Sequence, residues 1–101
     1  MNLEEFLSVT NHCESGDTIR PYIVCNDGFE ISVQASKCHY CSPRENDADY
    51  NSVEIFVEKK DKSIEQLLDK NKVAGWVKHE IVQNLIDKHE GINEQATFKD
   101  V

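Results

Sequence analysis

Asn26-Asp27-Gly28 lies between two stretches of β-forming residues, and it constrains the fold more than any other feature of the chain. Ahead of it, Ile19 to Cys25 is rich in strand-forming residues; behind it, Phe29, Ile31, Val33 and Ala35 alternate with Glu30, Ser32, Gln34 and Ser36. An alternation of period two places one set of side chains on one face of a strand, and Gly28 supplies the positive φ that a tight turn needs. The segment therefore reads as a β-hairpin with one buried face. Pro21 has no N–H to donate, so the first strand is an edge or begins near that residue.

The remaining elements follow from periodicity and capping chemistry. Asn2 as N-cap, Glu5 at the capping-box position and Leu3, Phe6 and Leu7 on one stripe predict a short opening helix. Val53, Ile55 and Val57 alternate through Tyr50 to Glu58, and Phe56 on the second face suggests a strand covered on both sides. Ser63 with Gln66 makes a capping box before Ile64, Leu67 and Leu68, hence a second short helix. Lys72 to Val77 reads either as a strand or as an entry turn around Gly75-Trp76. From Lys78 to Glu90, Ile81, Val82, Leu85 and Ile86 recur at helical spacing, with Gly91 placed to end the helix. The order is that of an α+β domain, a three- to four-stranded antiparallel sheet with helices packed on one face. One domain is expected over residues 1–92, with 93–101 as a loosely ordered tail.

Charge narrows the function classes. The 101 residues carry 11 Lys+Arg against 19 Asp+Glu, a net −8. Residues 1–50 hold three bases and nine acids, so the excess sits in the first half. Such a field repels phosphate backbones, which excludes ordinary duplex nucleic-acid binding, and it attracts basic protein surfaces. The longest apolar run is Tyr22-Ile23-Val24 extended by Cys25, too short for a membrane span or a signal-peptide core, so a soluble cytoplasmic protein is expected.

Few residues are spaced for chemistry. Cys38 and Cys41 form a CxxC pair that could share a zinc ion, but no second CxxC or HxxxH pair completes four ligands, so no metal or cofactor is expected. No nucleotide-binding, metalloprotease or EF-hand pattern is present, and an enzyme is not expected. His79 and His89, ten apart on the last helix, read as separate surface or edge residues, and Trp76 reads as a core or helix-entry residue. The polar connection 37–49 is longer than compact domains ordinarily use. Within it and beside it, Gln34, His39, Tyr40 and Arg44 could hold a small anion or a nucleotide by charge-assisted hydrogen bonds and stacking. Neutralisation of Arg44 by Glu45 and Asp47 is the competing reading.

Asp27 to Ser36, His39 to Asn46, Tyr50, Val53-Glu54 and the segment Val82 to Ile92 resemble a family of small, mostly uncharacterised proteins of phages, plasmids and conjugative elements of Gram-positive bacteria. The resemblance implies an accessory protein of a mobile element, and with the charge it implies an anti-CRISPR-like inhibitor in the host cytoplasm. Its partner would be a CRISPR effector nuclease or its guide complex. Glu4, Glu5, Glu14, Asp17, Glu45, Asp47 and Asp49 are the expected partner-binding acids. The alternative is a sponge for cyclic-nucleotide defence signals that uses Gln34, His39, Tyr40 and Arg44.

Overall fold

The computed structural model describes residues 1–10, 19–46, 48–59 and 61–99. Helix α1 (Leu3–Val9) opens on the expected capping box, with the Asn2 side chain accepting the Glu5 N–H and the Glu5 carboxylate accepting the Asn2 N–H. Strands β1 (Ile23–Val24), β2 (Glu30–Gln34), β3 (Ser52–Phe56) and β4 (Val73–Lys78) form one antiparallel sheet in the order β1-β2-β3-β4. Helix α2 (His79–Lys88) follows β4 directly, and α3 (Glu94–Thr97) follows α2. The architecture is α+β.

Register explains the core. Ile23 faces Ile31, Val33 faces Ile55, Ile55 faces Ala74 and Val53 faces Val77, so these apolar side chains share one sheet face. They join Leu3, Phe6 and Leu7 of α1 and Val82, Leu85 and Ile86 of α2 in a single buried cluster. Each large apolar side chain fully buried there contributes roughly 1.5–3 kcal/mol. The other sheet face carries Ser32, Gln34, Glu54 and Phe56, with Tyr22 edge-on to Phe56 at 6.5 Å between centroids.

Three local expectations are corrected. The first hairpin strand shrinks to two residues because Gln34 acts in place of a backbone partner: its Oε1 accepts the Arg20 N–H and its Nε2 donates to the Arg20 carbonyl. The capping box at Ser63 does not form. Ser63 instead donates its N–H and its hydroxyl to Asp61, and only a 3-10 turn (Glu65–Leu67) remains. The segment from Asn93 to Lys99 is not a loose tail. Asn93 caps α3, Thr97 is buried, and the ring of Phe98 lies 6.0 Å from that of Phe6. This segment also seals the β1 edge: the Asn93 N–H donates to the Val24 carbonyl at 2.8 Å, Thr97 Oγ1 accepts the Val24 N–H at 2.9 Å, and Cys25 bridges Ile92.

Arg20 is only 3 % exposed and ties these parts together. Its guanidinium donates to the carbonyls of Leu7 and Ala35 and to Thr10 Oγ1, and it lies 5.8 Å from the Tyr50 ring centroid. One side chain thus closes the C-terminus of α1, whose last carbonyls have no helical partner, onto the end of β2. Arg20→Met keeps the bulk and removes the donors, leaving the buried acceptors unpaired at about 1–3 kcal/mol each. Chemical denaturation should therefore show a loss of several kcal/mol; a loss under about 1 kcal/mol would mean that water replaces the guanidinium.

Candidate functional site

The loop connecting β2 to β3 brings Tyr40 against β4, which is bulged to receive it. Val53 pairs with Val77 and Ile55 with Ala74, so Gly75 and Trp76 together face the single residue Glu54. The bulge is locked from the loop side. The Trp76 N–H donates to the Tyr40 carbonyl at 2.8 Å, and the Tyr40 N–H donates to Glu54 Oε2 at 3.1 Å. Position 75 must be glycine, because a Cβ there would stand 2.7 Å from Tyr40 Cβ. Trp76 itself has φ +50, a left-handed backbone that a bulky residue rarely adopts.

The outcome is an aromatic stack in solvent. The rings of Tyr40 and Trp76 lie 5.0 Å apart at 26°, and the Arg44 guanidinium carbon is 5.4 Å from the Tyr40 centroid. Tyr40 is 49 % exposed and Trp76 57 %, so of the two expectations for Trp76, a core or a helix-entry residue, the core one is overturned. The sequence did carry a signal: an isolated glycine inside a strand pattern marks a bulge or a close backbone approach.

Of the four residues expected to bind a small ligand, the structure leaves two for that task. Tyr40 and Arg44 are exposed and adjacent, and among the described residues no carboxylate forms an ion pair with Arg44. Gln34 is buried and occupied by Arg20 and Ser32. His39 lies half-buried with Nδ1 2.6 Å from Ser36 Oγ, and burial lowers its pKa, which favours the neutral ring. Asp47, the other expected neighbour of Arg44, lies outside the described residues.

Two of the described thiols, Cys25 and Cys41, are placed as packing groups. Cys41 is buried with its thiol donating to the Ser36 and Pro43 carbonyls, and burial raises its pKa. Cys38 is exposed. Cys25, under the sheet, is pushed up to about 11 by burial and by the nearby Asp27 carboxylate. Among the described residues no group of three or more His, Cys, Asp and Glu is arranged to hold a metal ion.

Two of the expected partner-binding acids converge. Glu4 of α1 and Asp49 line an open groove of about 700 Å³ between α1, the segment 48–51 and the start of α2, where Glu80 joins them beside Lys78 and His79. Glu5 is exposed but spends one carboxylate oxygen on its own helix cap, and Glu45 is exposed elsewhere on the loop. Glu14 and Asp17 lie outside the described residues.

His89, expected as a separate surface or edge residue, is the centre of an ionic latch. Its Nδ1 is 2.7 Å from Asp27 Oδ2, its Nε2 is 2.6 Å from Asp61 Oδ2, and its ring stacks on Phe29 at 3.9 Å. Lys88 and Ser63 also bind Asp61. Both imidazole nitrogens are committed to carboxylates and Ser63 is bonded to Asp61, so the cluster joins the hairpin turn, the segment after β3 and the end of α2 without activating a nucleophile. Burial opposes charge on His89, but the hydrogen bonds to the two carboxylates outweigh it and raise its pKa above 6.5. For Asp61 burial likewise opposes ionisation, and bonds from Ser63, His89 and Lys88 hold it well below 3.8; Asp27 is lowered by the Phe29 N–H and then by His89.

Linkage then fixes the pH window. The His89 contribution is complete below pH 6.5 and is lost as pH rises through its raised folded value; the Asp27 and Asp61 contributions are complete above pH 3.8 and are lost as pH falls toward their lowered values. Denaturation across pH should show a plateau between these limits for the native chain. His89→Gln should lose stability within that plateau and remove the fall on its alkaline side, and an unchanged alkaline limb would show that His89 does not carry it.

Comparison with protein-family models, with curated proteins and with solved structures gives no match for this chain.

Proposed function

We propose that this chain is a binding protein without chemistry of its own, an inhibitor that docks its acidic surface on the basic nucleic-acid channel of a host defence nuclease. The observation that carries the reading is the groove in which Glu4, Asp49 and Glu80 stand together on a body of net charge −8. Carboxylates held on separate elements around one concavity present a pattern that Lys/Arg side chains can enter, and the long-range field steers such a partner in. The resemblance to mobile-element proteins makes a CRISPR effector nuclease, or its guide complex, the proposed partner. Effectors of that kind hold guide and target in a positively charged channel, so occlusion of the channel suffices for inhibition. Glu45 and Glu5 extend the acidic surface beyond the groove.

Purified protein mixed with an effector nuclease from a matching host should co-elute with it and suppress cleavage, with both effects weakening as salt rises. Glu4→Lys with Asp49→Lys should lower affinity several-fold at low salt, in line with roughly 0.2–1 kcal/mol for each exposed ion pair lost. Failure to bind or inhibit any nuclease tested at low salt would sink the proposal.

A further inference from the structure

Trp76 is a large apolar side chain held in solvent by a strained backbone, and the strain is over-determined by the Tyr40 carbonyl, Glu54 and Gly75. Strain maintained in this way needs a return elsewhere, and bulges commonly re-aim a side chain toward a site. Beside Trp76 lies a groove of about 280 Å³ lined by Leu67, Ala74, Val77 and Ile81, with Lys78 also on its wall. The chemistry on offer is therefore a π-face over an apolar slot with two cations near it, Arg44 over Tyr40 and Lys78 at the groove.

We propose that the Tyr40–Trp76 stack with Arg44 is a seat for one unstacked nucleotide, the base against Trp76 and its phosphate toward Arg44 and Lys78. Aromatic faces accept any base, and a guanidinium meets phosphate with charge-assisted hydrogen bonds. The net −8 sets the size of the ligand, because a long polyanion would meet the repulsion of the whole body whereas one nucleotide meets chiefly the two local cations. Among the described residues the carboxylates near these cations are Glu54, whose Oε2 is engaged by the Tyr40 N–H, Glu45, which follows Arg44 in the chain, and Glu80, which lines the acidic groove with Lys78. The seat differs from the acidic groove and does not rest on the inhibitor reading; Lys78 stands between the two.

Trp76 is the sole tryptophan, so its fluorescence reports occupancy directly. Adenosine 5′-monophosphate, a cyclic dinucleotide and a single-stranded hexanucleotide would be titrated in parallel, with adenosine as the phosphate-free control. Saturable quenching by at least one nucleotide is expected. The free-nucleotide arms and the oligonucleotide arm identify whether the source is a soluble signal or an unpaired strand. Arg44→Gln should weaken the phosphate-bearing ligand about tenfold, the loss of one charge-assisted bond, while leaving adenosine unchanged. Trp76→Gly, which the left-handed backbone accommodates, should abolish binding measured by calorimetry.

The proposal is overturned by the absence of quenching with every nucleotide at millimolar concentration, by equal binding of adenosine and its monophosphate, or by full binding to Trp76→Gly. Quenching by an acidic Phe-containing peptide and by no nucleotide would likewise overturn it, assigning the stack to a protein partner. A nuclease inhibited equally by native chain and Trp76→Gly leaves the inhibitor reading standing whatever the nucleotides do.

Discussion

The buried guanidinium of Arg20 is the interaction on which the arrangement of the layers depends. A short helix such as α1 has little stability of its own, because the cost of nucleation is spread over few hydrogen bonds. It is held by its apolar stripe and, at its C-terminal end, by a cation that donates to its orphan Leu7 carbonyl and to the Thr10 hydroxyl oxygen while also donating to the Ala35 carbonyl at the end of β2. Gln34 reinforces the same junction by meeting the backbone of residue 20 from both sides. The hairpin, the helix and the start of the loop after β2 are consequently registered against one another at a single buried point.

The second constraint acts at the opposite end of the hairpin, where the His89 imidazole lies between Asp27 and Asp61. Taken together, the two polar clusters hold both ends of the sheet's long axis of connections, and the apolar cluster fills the space between them. This division leaves the far face of the sheet free of core duties. Tyr40, the bulge and the aromatic stack gather around Glu54, whose side chain points away from the core, so an exposed tryptophan and a tight glycine sit there while Val53, Ile55 and Val77 stay buried.

The elements governed by local periodicity were legible in the sequence: the capping box at Asn2, the turn at Gly28, the alternation of β2 and β3 and the apolar stripe of α2. What escaped was decided by a competing local bond and by a partner distant along the chain. Asp61, two residues earlier, drew Ser63 away from a helix cap, and His89 found Asp27 sixty-two residues earlier, a contact with no spacing signature. The short run after Gly91 carries too few residues to show a period, yet Phe98 and Thr97 pack because α1 and β1 offer them surfaces. At the candidate site, Tyr40 and Arg44 were visible as types in a long loop. The general habit of tryptophan makes Trp76 a core or helix-entry residue, and the bulge that turns it outward lies opposite Glu54.

The sealing of β1 by the residues after α2 has a bearing on self-association. An uncovered strand edge is a template for another chain, and the two-residue β1 would offer Ile23 and Val24 for such pairing if Asn93 and Thr97 withdrew. The last described residues thus act as a stopper: a cut or substitution that releases Phe98 from Phe6 would loosen the cover on that edge and leave it open to edge-to-edge pairing with a second chain.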